Sequence, residues 1–221
     1  MSSTSNTDSS GPDYDRITVQ SYENNVKAYI DATVKIVDSH YKTWLDRVLQ
    51  YVPTNQRILE LGSAFGRDAD YMEAQGYTVE RTDATTGFVD YMNAHGASAR
   101  VLDAISDDFG GPYGLVFANA VLVHFAPADT VTVAQKAYEA LSAGGIFAIS
   151  LKLGQGSGWE TDKIGARRFF QYWDSKQMAE LLENIGFVIA ETDTAPSSRP
   201  GITWLRFIAQ KTTDHPAGAN R

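Results

Sequence analysis

The chain has 221 residues, no cysteine, and 27 Asp and Glu against 19 Lys and Arg, which gives a formal charge of −8. This length fits one domain of about 100–200 residues with a full hydrophobic core. The absence of cysteine excludes disulfide scaffolds, Cys-ligated zinc, iron–sulfur clusters and thiol nucleophiles. Because the acidic balance argues against a large basic face, we expect no nucleic-acid partner.

The ends of the chain differ in composition from its middle. Residues 1–13 and 212–221 are polar and rich in small side chains, so we predict disordered tails there and a single folded domain over residues 14–211. No run of about 18 apolar residues that could span a membrane is present. The N-terminus also lacks the pattern of a signal peptide, so we expect a cytoplasmic protein without a membrane partner.

The domain is predicted to open with helix over residues 14–52. Tyr41, Trp44, Leu45 and Val48 recur at helical spacing, and this helix must end before Pro53. Similar spacing begins upstream at residue 26. We therefore predict about 35 helical residues, in one helix or in two.

From residue 57 onward, short apolar runs alternate with helical segments. Strands are predicted at 58–61, 78–82, 99–102, 115–118, 146–151, 187–192 and 203–211, and helices at 68–75, 87–94, 131–141 and 178–185. No strand is assigned to the Gly-rich aromatic segment 154–173. This alternation predicts an α/β fold, a Rossmann-like doubly wound sheet of seven strands, mostly parallel with one antiparallel edge strand.

A glycine-rich turn, ELGSAFGRD (60–68), follows the first predicted strand. Such a turn binds a ligand in many α/β sheets, although a tight connection alone would look the same. The dinucleotide fingerprint G-x-G-x-x-G fails, because Ala64 and Arg67 stand at two of its glycine positions. Glu60 would repel a pyrophosphate and suits a cationic ligand instead.

Polar side chains follow the next three predicted strands. Asp83 stands where a carboxylate accepts both hydroxyls of a ribose, and Asp103 stands where it could accept from an adenine amino group. Asn119 follows the fourth strand. Each of these residues could instead cap a helix or face solvent, but their shared position at strand ends favours one ligand site.

With these motifs the chain resembles the class I S-adenosylmethionine-dependent methyltransferases, over residues 14–211. The resemblance rests on RILELGSAFGRD (57–68), YTVERTDAT (77–85), VLDA (101–104), GLVFANAVLVHF (114–125) and ALSAGGIFAISLK (140–152). It implies S-adenosylmethionine as cofactor, with the first motif at the methionine end, Asp83 at the ribose and Asp103 at the adenine. The cofactor-binding residues it implies are Tyr14, Tyr22, Glu60, Gly62, Ser63, Ala64, Gly66, Arg67, Asp83, Ala84, Thr85, Asp103, Ala104 and Asn119.

A closer resemblance is to a subgroup of small bacterial methyltransferases with GRD, AxAxLxH, SxKxG and RxF motifs. Here these read Gly66-Arg67-Asp68, Ala118 to His124, Ser150 to Gly154 and Arg168-Phe169-Phe170. In that subgroup the N-terminal helix, with Tyr14, Asp15 and Tyr22, is expected to cover the cofactor, so residues 14–52 are predicted to form a helical lid.

His124 is the candidate catalytic base, because the ordinary pKa of histidine is near 6.5. The alternative is a neutral, hydrogen-bonded histidine that shapes the pocket. Cations and aromatic rings after the fifth strand suit a flat or anionic acceptor, or else form an apolar plug with extended arginines. The substrate-binding residues predicted are Tyr29, Lys152, Arg168, Phe170, Tyr172 and Trp204.

The function expected is methyl transfer from S-adenosylmethionine to an oxygen or nitrogen of a small molecule, in specialised metabolism. No metal is expected, because the fourth and fifth strands are not followed by clustered acids. One alternative is methylation of a peptide or protein carboxylate, and another is a regulatory protein that binds the cofactor without transfer. The protein is expected to be a monomer or a homodimer.

Overall fold

The computed structural model describes residues 14–212, so the predicted tails lie outside the described residues, apart from Thr212. The N-terminal part forms three helices, α1 (Tyr14–Glu23), α2 (Val26–Asp31) and α3 (Ser39–Gln50), where one or two were predicted. The additional break follows α2, where β-branched residues at 33, 34, 36 and 37 disfavour helix. As predicted, α3 ends before Pro53. No helix within residues 14–212 has the length and apolarity to cross a bilayer.

Strands and helices then alternate as predicted. The elements are β1 (Arg57–Glu60), α4 (Arg67–Ala74), β2 (Thr78–Asp83), α5 (Thr86–Ala94), β3 (Ala99–Val101), β4 (Tyr113–Asn119), α6 (Pro127–Ala140), β5 (Leu141–Leu153), β6 (Ser157–Glu160), β7 (Arg168–Trp173), α7 (Ser175–Ile185), β8 (Phe187–Pro196) and β9 (Thr203–Lys211). A short 3₁₀ turn, Leu122–His124, follows β4.

The central sheet has the order β3-β2-β1-β4-β5, with all neighbours parallel. On the far side of β5, β9 runs antiparallel to it, and β8 pairs antiparallel with β9. This confirms the Rossmann-like α/β fold and its mostly parallel sheet. The strand count was wrong, because the described sheet has nine strands where seven were predicted.

The two missed strands, β6 and β7, form an antiparallel hairpin in the segment 154–173. The first residues of β7, Arg-Phe-Phe, are buried in succession, so the strand lacks the alternation that predicts one. Lys152 pairs with Tyr172 of β7 and with Trp204 of β9. Since those partners flank β5 on opposite sides, β7 lies on the β4 side, beyond the carboxyl end of β4.

The sheet is buried on both faces. Along β4, Leu115 and Phe117 pack in one apolar cluster and Val116 and Ala118 in the other. The first cluster also holds Trp44 and three other apolar residues of α3, so this part of the predicted lid belongs to the core. Burial of each large side chain contributes about 1.5–3 kcal/mol. What remains outside the core layers is α1 with α2.

Helix α1 packs on the β6–β7 hairpin. The backbone N–H of Phe169 donates to Thr18 Oγ1 at 3.0 Å, and the rings of Tyr14 and Phe169 stack at 4.2 Å. Ser21 Oγ donates to the carbonyl of Arg167. The carboxylate of Glu23 accepts from the backbone N–H of Gly87, in the first turn of α5. The β6–β7 hairpin, which the sequence analysis did not predict, therefore provides much of the surface on which α1 packs.

We expect Thr18→Val to lower the free energy of unfolding by about 1–3 kcal/mol, because it leaves the buried Phe169 N–H without an acceptor. Thr18→Ser keeps the hydroxyl and should lose less. Urea denaturation, fitted with one m-value for the wild type and both variants, measures these changes in the free energy of unfolding. Equal losses in the two variants would contradict this role of the hydrogen bond.

Candidate active site

A cavity opens at the carboxyl ends of the parallel strands and is covered by α1 and α2. This is where ligands bind in open α/β sheets, because the loops there converge from several strands. Of the predicted site residues, the cavity is lined by Tyr22, Tyr29, Gly62, Ala64, Asp83, Ala84, Thr85, Asp103, Ala104, Asn119 and His124.

The other predicted residues do not line the cavity directly. They are Tyr14, Glu60, Ser63, Gly66, Arg67, Lys152, Arg168, Phe170, Tyr172 and Trp204. Lining residues that were not predicted include Thr18, Leu61, Phe88, Leu102, Val121 and Phe125. Leu61 and Leu102 adjoin predicted residues and could have been inferred, whereas Thr18 and Phe88 reach the cavity only through tertiary packing.

The glycine-rich turn has a backbone that few residues can adopt. Gly62 has φ +66°, and a Cβ at this position would lie 2.6 Å from Val121 Cγ2. Ala64 also has a left-handed backbone, with φ +50°. Ser63 is turned away toward β2, where its Oγ accepts from the N–H of Thr82 at 3.1 Å. Gly66, with φ +87°, is the N-cap of α4.

Asp83, the last residue of β2, joins two of the turns. Its Oδ2 accepts from the N–H of Ala64 and its Oδ1 from the N–H of Thr85, both at 2.8 Å. Burial raises the pKa of this carboxyl to about 6, against the lowering effect of the two backbone hydrogen bonds. Each oxygen keeps a second lone pair, so the carboxylate can still accept two hydroxyls of a ligand.

Asp103 is half-buried at the cavity edge. Its Oδ1 accepts from the N–H of Ile105 at 2.8 Å, which holds the loop in a short turn. Asp103 therefore does form the local backbone cap that was the alternative to a ligand-binding role. The same side chain also lines the cavity, so both of its predicted roles fit its position.

Glu60 is buried at the end of β1, and its Oε2 has no hydrogen-bond partner among the described residues. Burial, reinforced by the charge of Asp68, raises the pKa of this carboxyl above its usual range. An unpartnered carboxyl oxygen beside a glycine-rich turn favours a ligand with a positive charge or a hydrogen-bond donor.

A buried polar network lies beside the turn. Asp68 accepts from Arg67 Nε at 2.7 Å through Oδ1, and through Oδ2 from Tyr41 at 2.6 Å and from Asn119 Nδ2 at 2.9 Å. Ser150 Oγ donates to the side-chain oxygen of Asn119 at 2.6 Å. Arg67 and Asp68 form an ion pair, and the amide of Asn119 is held by other side chains.

His124 and Tyr22 both line the cavity and are joined by a hydrogen bond. His124 Nδ1 lies 2.7 Å from the carbonyl oxygen of Phe169, which only accepts, so Nδ1 carries the proton. His124 Nε2 therefore accepts from the Tyr22 hydroxyl at 2.9 Å, and that hydroxyl accepts from Arg168 Nη1 at 3.1 Å. Burial lowers the pKa of His124 to about 3, so the imidazole is neutral near pH 7.

Of the predicted substrate-binding residues, Tyr29, Arg168 and Phe170 contact this pair. Lys152 is ion-paired with Glu160 at 2.6 Å, and the Tyr172 hydroxyl donates to the same carboxylate at 2.5 Å. The Lys152 ammonium also lies 3.5 Å from the ring centre of Phe170, which packs 4.7 Å from His124. Trp204 is half-buried on β9. Within residues 14–212 no three His, Cys, Asp or Glu side chains are grouped to hold a metal ion.

Comparisons with known proteins show the family to which this chain belongs. A family model described as a methyltransferase domain matches residues 34–192. An S-adenosylmethionine-dependent methyltransferase from Methanosarcina mazei is 16% identical, covering 76% of this chain and 98% of its own, with a TM-score of 0.67. The 1,6-didemethyltoxoflavin-N1-methyltransferase of Burkholderia thailandensis is 20% identical, covering 88% and 85%, with a TM-score of 0.64.

A third similar structure is phosphoethanolamine N-methyltransferase 2 of Haemonchus contortus, in complex with S-adenosylmethionine. It is 16% identical, with a TM-score of 0.67 over 90% of this chain and 60% of that one. A search of curated protein sequences finds no significant match. The chain belongs to the methyltransferase domain family, which confirms the predicted class I S-adenosylmethionine-dependent methyltransferase and its cofactor.

The residues present fit that cofactor on three observations. Gly62 and Ala64 of the glycine-rich turn line the cavity, so a ligand can approach the backbone of the turn closely. Asp83 presents an organised carboxylate to the cavity, and its free lone pairs can accept the hydroxyls of a ribose. The unpartnered oxygen of Glu60 lies beside the turn but outside the cavity lining, and an ammonium group bound near it would lower the raised pKa of this carboxyl and favour its ionised form.

We expect Gly62→Ala to destabilise the protein by about 2–5 kcal/mol, since its positive φ is strained for alanine and the new methyl meets Val121. Ala64→Gly is the matched control in the same turn. It should change stability by less than about 1 kcal/mol, because glycine adopts φ +50° without strain. Urea unfolding compares the two variants, and a harmless Gly62→Ala would refute the close contact.

Proposed function

We propose that this chain transfers a methyl group from S-adenosylmethionine to a nitrogen or oxygen of a small-molecule acceptor, in specialised metabolism. The observation that carries the proposal is one cavity with an ordered carboxylate, Asp83, on one wall and the Tyr22–His124 pair on another. The similar structures from Burkholderia and Haemonchus are named for small-molecule acceptors, which supports the same class here.

In this proposal the acids hold the cofactor. Asp83 would accept the ribose hydroxyls and Asp103 the adenine amino group, with Ala84, Thr85 and Ala104 beside them. Glu60 and the turn from Gly62 to Arg67 would surround the methionine end, and Tyr14 and Tyr22 would cover it. The bound cofactor supplies a methyl group on a positively charged sulfur, so the chain mainly has to align the acceptor with it.

The cover formed by α1 and α2 favours a small acceptor. Tyr22 and Tyr29 close the cavity from these helices, and their rings meet edge to face at 5.3 Å. A peptide acceptor would need an open groove in this position. The carboxylates and the Tyr22–His124 pair likewise favour methyl transfer over cofactor binding alone. Methylation of a peptide and a regulatory function are therefore second candidates.

His124 is proposed as the proton acceptor for a hydroxyl substrate. Its Nε2 is the basic nitrogen and accepts a hydrogen bond from the Tyr22 hydroxyl. When Tyr22 gives its proton to Nε2, the Tyr22 oxygen takes up the proton of the acceptor hydroxyl. Efficient general bases have a pKa close to the working pH, and burial places that of His124 far lower. The site therefore favours an amine, or an oxygen whose proton is already acidic.

The cofactor part of the proposal predicts pH-dependent binding. Ribose hydroxyls donate to ionised Asp83, so the affinity for S-adenosylhomocysteine should be full well above pH 6 and fall as the pH drops through about 6. Asp83→Asn should weaken binding about 10- to 100-fold at pH 7.5. Isothermal titration measures both, with the exposed Asp90→Asn as control. If S-adenosylhomocysteine neither binds nor raises the melting temperature, the proposal falls.

The acceptor part is tested by methyl transfer to a panel of amines, phenols, carboxylic acids and peptides. His124→Gln should lower kcat at least about 100-fold for a hydroxyl acceptor and far less for an amine, with cofactor affinity unchanged. The wild-type pH profile should show no inflection from His124 between pH 5 and 8. Near-normal turnover of a hydroxyl acceptor in His124→Gln would exclude the proton-acceptor role. Binding without transfer to any acceptor would favour the regulatory function.

A further inference from the structure

Arg168, the first residue of β7, is a buried cation without a close counter-ion. Its side chain is 4% exposed, and the closest carboxylate oxygen among the described residues, on Asp162, is 3.8 Å from Nη2. Asp162 is itself 57% exposed and binds Arg199 more closely, at 2.9 Å. Removing a guanidinium from water costs free energy unless its hydrogen bonds are made. An anionic ligand bound to Arg168 would supply the missing hydrogen bonds and negative charge.

The unused donors of Arg168 lie on one edge of the guanidinium. Nη1 donates to the Tyr22 hydroxyl, whereas Nε has no hydrogen-bond partner among the described residues. Nε and Nη2 form the edge that binds a carboxylate or phosphate through two parallel hydrogen bonds. Lys152, on the neighbouring β5, differs because both oxygens of Glu160 lie within 2.7 Å of its ammonium.

A second cation, Lys163, lies in the loop between β6 and β7. Its ammonium is 3.7 Å from the ring centre of Tyr29, and within residues 14–212 it has no ion-pair partner. Burial and the charge of Arg168 lower the pKa of Lys163 to about 7, and a bound anion would restore its positive charge. Two cations therefore lie against the two tyrosines that line the cavity.

We infer that the methyl acceptor carries an oxyanion, a carboxylate or a phosphate, bound by the Nε–Nη2 edge of Arg168 with Lys163 as the second cation. This inference rests on the proposed function and specifies its acceptor. The oxyanion end would lie beyond Tyr22, and the reacting atom would point past Tyr22 and His124 into the cavity. Because Nε is buried in the structure, binding requires the side chains around Arg168 to rearrange.

The test measures binding to protein saturated with S-adenosylhomocysteine, by isothermal titration at constant ionic strength. The probes are benzoate and phenyl phosphate, each compared with neutral benzamide. We expect the preferred oxyanion to bind at least about tenfold more tightly than benzamide, and Arg168→Gln to abolish that preference. Comparing benzoate with phenyl phosphate shows which oxyanion the site prefers.

Two further variants keep the test informative if Arg168→Gln fails to fold. Lys163→Gln removes a cation that makes no hydrogen bond in the described residues, and it should weaken oxyanion binding severalfold while leaving benzamide unaffected. Arg167→Gln makes the same charge change on the exposed neighbour and should have no effect. Equal binding of all three probes, or an equal loss in Arg167→Gln, overturns the inference. Cofactor binding is scored separately, so it survives that outcome.

Discussion

The two hydrogen bonds to Asp83 organise the cavity floor. The carboxylate stands at the end of β2 and receives the backbone N–H groups of Ala64, in the glycine-rich turn, and Thr85, before α5. These bonds place two turns from different strands at one level and offset part of the cost of burying the charge. The left-handed backbone of Ala64 is held in the same way, so the strain of the turn and the position of the carboxylate depend on each other.

The cavity is acidic on one side, and two cations lie behind the tyrosines that line it. Asp83 and Asp103 line the side formed by the strand ends, while Arg168 and Lys163 stand behind Tyr22 and Tyr29 on the other side. This separation suits a positively charged cofactor on one side and an anionic acceptor on the other, because each charge then meets its complement without an intervening repulsion. In the proposed function, the two tyrosines and His124 lie between the acids and the cations, where the methyl group would be transferred.

Much of the fold and about half of the site followed from local sequence patterns. The alternation of apolar runs placed the central strands, and the residues after each strand placed Gly62, Asp83, Asp103 and Asn119 at one edge of the sheet. The β6–β7 hairpin was missed, because its apolar residues neither alternate nor repeat at helical spacing. Thr18 and Phe88 gave no signal, since their role depends on which helix packs over the cavity.

The sequence by itself determined the parallel sheet, the glycine-rich turn and the acids at the strand ends, because strand period and strand ends are local properties of the chain. Tertiary structure alone decided which cations are free. Lys152 and Arg168 look equivalent in sequence, yet the hairpin brings Glu160 to Lys152 and leaves the Nε of Arg168 without a partner. Pairing of charges depends on distances between elements far apart in the chain, and those distances are set only when the elements pack.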